Sequence, residues 1–194
     1  MNILQFYPKA NEEISRVFHV FNIMTFKSSE LTSFDPADYE SIIGTNSFTV
    51  FGRSSIKRED LEPDKISEII DEQVSQRESL LAGGFDVFSA HKVGAIVIAK
   101  PEVLAQVPME TLEHTFDYLN KLIGGAGTIF RGVYSSEEAR SDGFDLLTIW
   151  SGVDTPAERL RELKNEADQE IAVFEKKVEA ATVEDILGEI EDED

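Results

Sequence analysis

The sequence contains one run of seven apolar residues without a polar interruption, Val93-Gly94-Ala95-Ile96-Val97-Ile98-Ala99. A half-exposed strand alternates apolar and polar residues, whereas a strand at the centre of a sheet is apolar along its whole length. The run therefore predicts a central strand, and the rest of the chain is expected to assemble a sheet around it.

Strand-like and helix-like segments alternate on both sides of this run. We predict the order β-α-β-α-β-β and an α/β fold, in detail an α+β two-layer sandwich with a four-stranded mixed sheet and its helices on one face. A right-handed crossover is expected to join the first two strands in parallel, and the turn-rich linker Ser135–Gly143 to join the last two as a hairpin. A charged loop, Ile56–Asp64, is expected after the first strand. The predicted elements are strand Ser47–Gly52, helix Lys65–Leu81 ending at Gly83-Gly84, strand Val93–Ala99, helix Pro108–Ile123, and strands Thr128–Tyr134 and Phe144–Trp150.

Two long helices are predicted outside the sandwich. The first begins at Asn11 as N-cap and continues to Phe26, with an apolar stripe so wide that the helix is expected to be buried on more than one side. The second, Pro156–Ala181, is highly charged and leads into an acidic tail. The predicted division is residues 1–43 for the first helix and its loop, 44–152 for the sandwich, and 153–194 for the charged helix and tail.

The chain has 38 acidic and 18 basic residues among 194, which gives a formal net charge of −20. Such a charge repels phosphate backbones and anionic lipids, so we expect neither nucleic-acid binding nor direct membrane insertion. The sequence has no cysteine, which excludes disulfides and cysteine-based metal sites. With no apolar run of membrane-spanning length and no basic-then-apolar start, a cytoplasmic protein is expected.

Asp35 and Asp38 form the strongest candidate catalytic pair. They lie at a loop-to-helix junction, where Asp35 is the expected N-cap and Pro36 the first residue of a short helix ending at Gly44. Two carboxylates placed in this way can orient and polarise a water for attack on a phosphoryl group. An N-cap and a first-turn acid that only stabilise the helix explain the same spacing.

Other candidate motifs point to structural roles. Gly124-Gly125-Ala126-Gly127 follows a helix and precedes a strand, the reverse of a phosphate-binding loop, and is expected to be a C-cap and turn. His19, His91 and His114 are far apart in the sequence, none with a ligand partner on its helix face, so no protein-held metal is expected. Trp150 is expected to lie in the core.

Two motifs and the order of the segments carry a family resemblance, which covers roughly Phe6 to Gly152. Tyr7-Pro8-Lys9-Ala10-Asn11 matches an aromatic-x-x-Ala-Asn/Asp element, and Ser33-Phe34-Asp35-Pro36-Ala37-Asp38 matches a loop of the form Asn-x-Asp-x-Ala-Asp. On these features the chain resembles the tubulin/FtsZ superfamily of GTPases, from the central helix of that family onward. In that family the first element contacts guanine and the second is the loop that activates hydrolysis.

The resemblance implies a mechanism shared between two subunits. Tyr7 and Asn11 would contact the base, while Asp35 and Asp38 would position the attacking water on GTP held by the adjacent subunit of a filament. Mg2+ on the nucleotide would neutralise phosphate charge. The parent protein is then a polymerising cytoskeletal GTPase, of the kind active in cell division, that self-associates head-to-tail through the activating loop and pairs this part with its own N-terminal GTPase domain.

The sequence also departs from the family pattern. Ser33 replaces the usual Asn and Glu30 the usual glycine at the start of the loop, which fits a divergent, archaeal-type relative. There is no Gly-Gly-Gly-Thr-Gly-Ser-like phosphate loop. We therefore expect this chain to be the C-terminal part of a longer protein, with no nucleotide bound to it and no activity when isolated.

Two other functional classes remain open. One is a non-catalytic protein-interaction module of the same fold, which would use the charged C-terminal helix as its docking surface. The other is a small-molecule-binding or metabolic domain of similar topology, since a fold alone does not fix function. Roles in division, cell shape and plasmid partition are all compatible with the features above.

The net charge leads to a first prediction. Salt screens the self-repulsion of the acidic residues, so we expect the chain to unfold at low ionic strength and to recover its stability when salt is added. Thermal unfolding followed by circular dichroism in about 0.05 M and about 1 M KCl tests this, because the Debye length falls severalfold between them. An unfolding temperature that does not change with salt would contradict the prediction.

Overall fold

A computed structural model describes residues 3–29, 31–74, 85–125, 127–157, 160–162 and 164–174, with side chains in the first helix from Pro8 onward. It divides into two compact units, Met1–Thr155 and Pro156–Asp194. In the second unit residues 160–162 and 164–174 are helical, as predicted. Residues 158–159, 163 and 175–181 of that predicted helix lie outside the described residues. So does Gly83-Gly84, the predicted end of helix Lys65–Leu81. The three-part division at residues 43 and 152 stays a prediction.

The first unit is built on a four-stranded mixed sheet with strand order β1-β4-β2-β3. β4 is antiparallel to both of its neighbours, β1 and β2, whereas β2 and β3 are parallel. The mixed α/β fold and the number of strands agree with the prediction. The strands are β1 (Phe48–Lys57), β2 (Lys92–Ala99), β3 (Thr128–Ser135) and β4 (Gly143–Val153).

The predicted strand pairing was wrong in two respects. β3 and β4 do not form a hairpin, because β2 lies between them, and β1 and β2 run in the same direction but are separated by β4. Burial explains the order: β4 is buried at every residue but Asp145, whereas β3 is half-exposed over Thr128–Arg131. A strand that is apolar on both faces is most stable inside the sheet, and the more polar strand takes the edge.

One face of the sheet is covered by the two sandwich helices, α3 (Pro63–Val74) and α5 (Met109–Leu122). Ile66 and Ile70 of α3 and Phe116 of α5 pack against the odd-numbered residues of β2, from Val93 to Ala99. These two helices lie on one side, as predicted. A four-residue helix, α4 (Pro101–Leu104), and 3-10 turns at Arg58–Asp60 and Val87–Ser89 complete this layer. Trp150 is buried here, as predicted, and donates its indole N–H to Thr148.

The opposite face is covered by α1 (Ile3–Met24) and α2 (Pro36–Ile43). Val17 and Phe21 of α1 and Ile42 of α2 contact the even-numbered residues of β2, Ile96 and Ile98. The prediction of helices on one face therefore holds for α3 and α5, while the leading helices form a further layer. This second layer explains why β2 is apolar on both faces.

Two elements, α1 and β1, are longer than predicted at one end. α1 begins at Ile3, so Asn11 lies inside the helix rather than at its N-cap. Pro8 also lies inside the helix and, having no N–H, costs it one backbone hydrogen bond. β1 extends through Lys57 because it pairs with β4 over its whole length, so Ile56 is a buried strand residue and not part of a loop. Among the described residues, no helix combines the length and apolar character needed to cross a membrane.

The predicted glycine turn after α5 is confirmed. Gly124 and Gly125 both have φ of 67°, a left-handed conformation that side chains disfavour. The Gly125 N–H donates to the Asn120 carbonyl at 3.0 Å, which closes the C-terminal end of the helix.

Gly94 leads to a prediction about how closely α2 and the sheet approach each other. A Cβ at this position would lie 2.7 Å from Ile42 Cδ1, so Gly94→Ala is expected to destabilise the chain by about 1–3 kcal/mol through overpacking. Ile42→Val removes that Cδ1 methyl and by itself costs about 0.5–1.5 kcal/mol. Gly94→Ala should therefore cost less in the Ile42→Val background, as measured by a double-mutant cycle of chemical denaturation. Equal costs in both backgrounds would contradict this packing.

Candidate functional site

The loop between α1 and α2 lies against the free edge of β3. The Val133 N–H donates to the Thr32 carbonyl at 3.3 Å, and the Ser29 hydroxyl donates to the Val133 carbonyl at 2.8 Å. Since β2 occupies the other edge of β3, these bonds add a short strand-like contact to the outside of the sheet. They fix the course of the loop a few residues before Asp35.

Phe34 anchors the loop in the core. Its side chain is 1% exposed and packs edge-on against Phe21 of α1, with ring centroids 5.3 Å apart. Tyr39 of α2 completes the aromatic cluster. Two strand glycines leave room beneath it: a Cβ at Gly94 would lie 3.3 Å from Phe34 Cε2, and one at Gly132 would lie 3.0 Å from Phe34 Cβ.

Tyr134 holds the backbone of Phe34. The Tyr134 hydroxyl accepts a hydrogen bond from the Phe34 N–H at 2.9 Å and donates one to the Phe34 carbonyl at 3.0 Å. Burial raises the pKa of Tyr134, the bond from Phe34 lowers it, and the charges of Asp38 and Asp35 raise it. The phenol therefore stays protonated near neutral pH and keeps its donor role.

Asp35 and Asp38 are brought together in a reciprocal capping box. The Asp38 N–H donates to Asp35 Oδ1 at 2.9 Å, and the Asp35 N–H donates to Asp38 Oδ2 at 3.1 Å. Pro36 is the first helical residue, as predicted. The two carboxylates also lie at the N-terminal end of α2, where negative side chains interact favourably with the helix dipole.

Each carboxylate keeps one oxygen uncommitted. Within the described part of the chain, Asp35 Oδ2 and Asp38 Oδ1 have no hydrogen-bond partner. Asp35 is exposed and Asp38 half-buried, so both oxygens can accept from a water or another ligand. The geometry thus permits the helix-capping role and the water-orienting role together.

Tyr7 and Asn11 lie far from this pair. Both are in α1, one turn apart, with Asn11 exposed; the side chain of Tyr7 lies outside the described residues. Phe34, next to Asp35, packs against Phe21 of α1, and Asn11 lies ten residues before Phe21, which corresponds to about 15 Å along the helix axis. One chain therefore does not bring the two predicted groups into a single site.

Apolar surface adjoins the aspartate loop. Phe26 and Leu31 of the loop are 79% and 49% exposed. Leu31 also borders a groove of about 350 Å³ between the loop, the end of β3, α4 and the start of α5. The groove is lined by Leu31, Pro101, Leu104, Ala105, Val107, Met109, Leu112 and Ser135. Exposed apolar side chains next to charged ones are common in protein–protein contact surfaces.

The histidines occupy separate places. His19 and His91 are exposed, whereas His114 lies within hydrogen-bond distance of the Ser67 hydroxyl and the Pro63 carbonyl between α3 and α5. Over the part of the chain that the structure describes, no group of three or more His, Asp or Glu side chains could hold a metal ion.

The residues that hold the loop in place were not among the predicted site residues. Gly94 and Gly132 lie inside β2 and β3, and a glycine inside a strand often marks a close approach by another element. That signal points to a contact above the sheet. The Tyr134 hydroxyl bonds to a residue 100 positions away in the sequence, and no local sequence pattern predicts that contact.

The fold of this chain is similar to that of several solved structures. No protein-family model matches the sequence, and no curated protein matches it. A GTPγS-form protofilament of TubZ from Bacillus thuringiensis serovar israelensis is similar, with TM-score 0.58, 16% identity, and coverage of 87% of this chain and 43% of that one.

Two further solved structures share the fold. The FtsZ dimer from M. jannaschii has TM-score 0.59 and 15% identity, and the match covers 78% of this chain and 40% of that one. GDP-bound CetZ1 from Haloferax volcanii has TM-score 0.56 and 16% identity, with coverage of 87% and 46%. The resemblance to the tubulin/FtsZ superfamily is thus confirmed at the level of the fold, and this chain spans less than half the length of each of these proteins.

The capping box leads to a prediction about stability. Asp35→Ala removes the acceptor for the Asp38 N–H and is expected to destabilise the chain by about 1 kcal/mol, whereas Asp35→Asn preserves a good N-cap and should cost much less. Urea denaturation of the 194-residue chain measures both. Equal stability of Asp35→Ala and the wild type would mean that the box does not stabilise α2 in solution.

Proposed function

We propose that this chain is the activation and polymerisation part of a tubulin/FtsZ-like cytoskeletal GTPase. In this proposal Asp35 and Asp38 act on GTP bound by the adjacent subunit of a filament, and the protein works in the cytoplasm. Tyr7 and Asn11 contact the guanine of the nucleotide held by their own subunit. The phosphate-binding half is supplied by an N-terminal GTPase domain of the same protein.

The placement of the two aspartates carries the proposal. Phe34 and the bonds to β3 fix the loop, while one oxygen of each carboxylate remains available to a water. A carboxylate held in this way can orient a water in line with a phosphoryl group and accept its proton as the bond to phosphorus forms. Mg2+ would arrive with the nucleotide and offset phosphate charge.

The distance between the two groups supports a site shared by two subunits. Phe34, next to Asp35, packs on α1 about 15 Å along the helix from Asn11. A nucleotide held at the Asn11 end therefore meets the aspartates of a different copy. Copies stacked head-to-tail repeat this contact at every junction. The exposed Phe26 and Leu31 and the apolar groove beside them would be covered in such a junction.

The solved relatives of this fold agree with such an assembly. The TubZ structure is a GTPγS-form protofilament and the FtsZ structure is a dimer. At 15–16% identity these structures support the fold of this chain alone. The role proposed for Asp35 and Asp38 is supported by the geometry of their carboxylates.

The capping box favours a second candidate function. Both aspartates already have a structural role, so the chain could serve as a non-catalytic interaction module of the same fold. The two proposals differ in whether the carboxylate charges, as distinct from their capping oxygens, are needed for hydrolysis.

Charge-only variants separate these two functions. Asp35→Asn and Asp38→Asn each retain an oxygen for the capping box but lose the negative charge, so GTP turnover should fall by about 100-fold or more. Turnover and pelleting of polymer are measured in the full-length protein that joins this chain to its GTP-binding half. Glu40→Gln, which removes an exposed charge elsewhere on α2, is the matched control and should leave turnover unchanged.

Polymer formation distinguishes the outcomes. Variants that still pellet with GTP but no longer turn it over support the activation role, because contact is preserved and chemistry is lost. Variants that retain turnover contradict it and favour the non-catalytic module.

A further inference from the structure

Tyr134 occupies an unusual position relative to the aspartate loop. It lies on β3, which is an edge strand, yet its side chain is 1% exposed because it points under the loop. Its hydroxyl bonds both polar groups of one residue, Phe34, at 2.9 Å and 3.0 Å. That residue directly precedes Asp35.

The loop is held to β3 by bonds to the backbone of Val133 upstream and by the Tyr134 side chain at its end. Ser29 and Thr32 bond to Val133, whereas Phe34 bonds to the next residue of the strand through a side chain. The Tyr134 hydroxyl thus takes the place of the backbone groups that would continue the strand-like contact. Beyond this point the chain turns into the capping box.

The Tyr134 contact acts on the peptide groups that orient Asp35. The Phe34 carbonyl belongs to the same peptide group as the Asp35 N–H, and that N–H donates to Asp38 Oδ2. Fixing the Phe34 carbonyl therefore fixes the plane of the peptide that carries one half of the capping box. A rotation of this peptide would move both carboxylates relative to any ligand in front of them.

We propose that Tyr134 is a positioning residue for the hydrolysis site, and that its hydroxyl sets the direction in which Asp35 and Asp38 face the nucleotide of the adjacent subunit. This inference rests on the proposed function and deepens it. Tyr134 itself does not touch the reacting atoms. Its effect is transmitted by the Phe34 peptide, and a misplacement of about 1 Å is enough to lower the rate of a reaction that depends on alignment.

Two other tyrosines provide matched controls. The Tyr118 hydroxyl donates to Asp71 between α3 and α5, on the other face of the sheet. The Tyr39 hydroxyl is buried beside Phe34 but has no hydrogen-bond partner among the described residues. Tyr118→Phe therefore reproduces the loss of a hydrogen-bonded hydroxyl, and Tyr39→Phe the loss of a hydroxyl near the loop.

The experiment compares Tyr134→Phe with these controls in the full-length protein. We expect GTP turnover per pelleted subunit to fall by about tenfold or more in Tyr134→Phe, while the amount of GTP-dependent polymer is retained. Tyr118→Phe and Tyr39→Phe should turn over GTP like the wild type. This split between turnover and assembly is a result that a general loss of stability would not produce.

Amide exchange in the 194-residue chain gives the second readout. In Tyr134→Phe, exchange measured by NMR should accelerate at Phe34, Asp35 and Asp38, while the amides of β2 and β4 keep their wild-type rates. Acceleration throughout the sheet would show that Tyr134 maintains the fold as a whole and would overturn the positioning role.

The outcomes separate this inference from the proposed function. If Asp35→Asn and Asp38→Asn abolish turnover but Tyr134→Phe turns over GTP like the wild type, the positioning role is wrong and the activation role stands. If the aspartate variants retain turnover, the activation role fails, and the positioning role fails with it.

Discussion

The rest of the site depends on the packing of the Phe34 side chain in the core. Its ring is enclosed by α1, α2 and the sheet, and the absence of side chains at Gly94 and Gly132 allows it to approach the strands. Removing a buried phenylalanine typically costs about 3–5 kcal/mol, a large part of the stability of a domain of this size. The loop therefore cannot leave the sheet without disrupting the packing of both helices. This apolar contact fixes the position of the two aspartates that follow it.

The two ends of α2 are held by different chemistry. The N-terminus has the reciprocal aspartate box, whereas at the C-terminus Lys92 Nζ of β2 donates to the Ser41 carbonyl at 2.8 Å and Ser151 of β4 donates to the Ile42 carbonyl at 2.8 Å. Negative groups at the first turn and a cation at the last both complement the helix dipole. An eight-residue helix has little stability alone, so these bonds and the burial of Ile42 hold it in place.

The parts of this structure that could be predicted are those encoded locally. β2 follows from an uninterrupted apolar run, α2 from Asp35-Pro36 and Gly44, and the end of α5 from its paired glycines. The order of the strands could not be predicted in the same way, because the position of β4 depends on pairing with two strands distant in sequence. The same holds for the candidate site. Its aspartates are visible as a motif, whereas the Tyr134 contact that fixes them exists only after the sheet and loop have met.

Helix α1 connects the Tyr7–Asn11 segment to the aspartate loop without an intervening joint in the described chain. The two ends of an α-helix can change their separation and relative direction only in fixed steps, since each residue adds about 1.5 Å of length and about 100° of rotation. A single inserted residue would turn Asn11 away from its present direction relative to the loop, even though the length changed little. Only steps close to whole turns preserve the facing of both ends, so the length of α1 is expected to change in such steps or not at all as the sequence diverges.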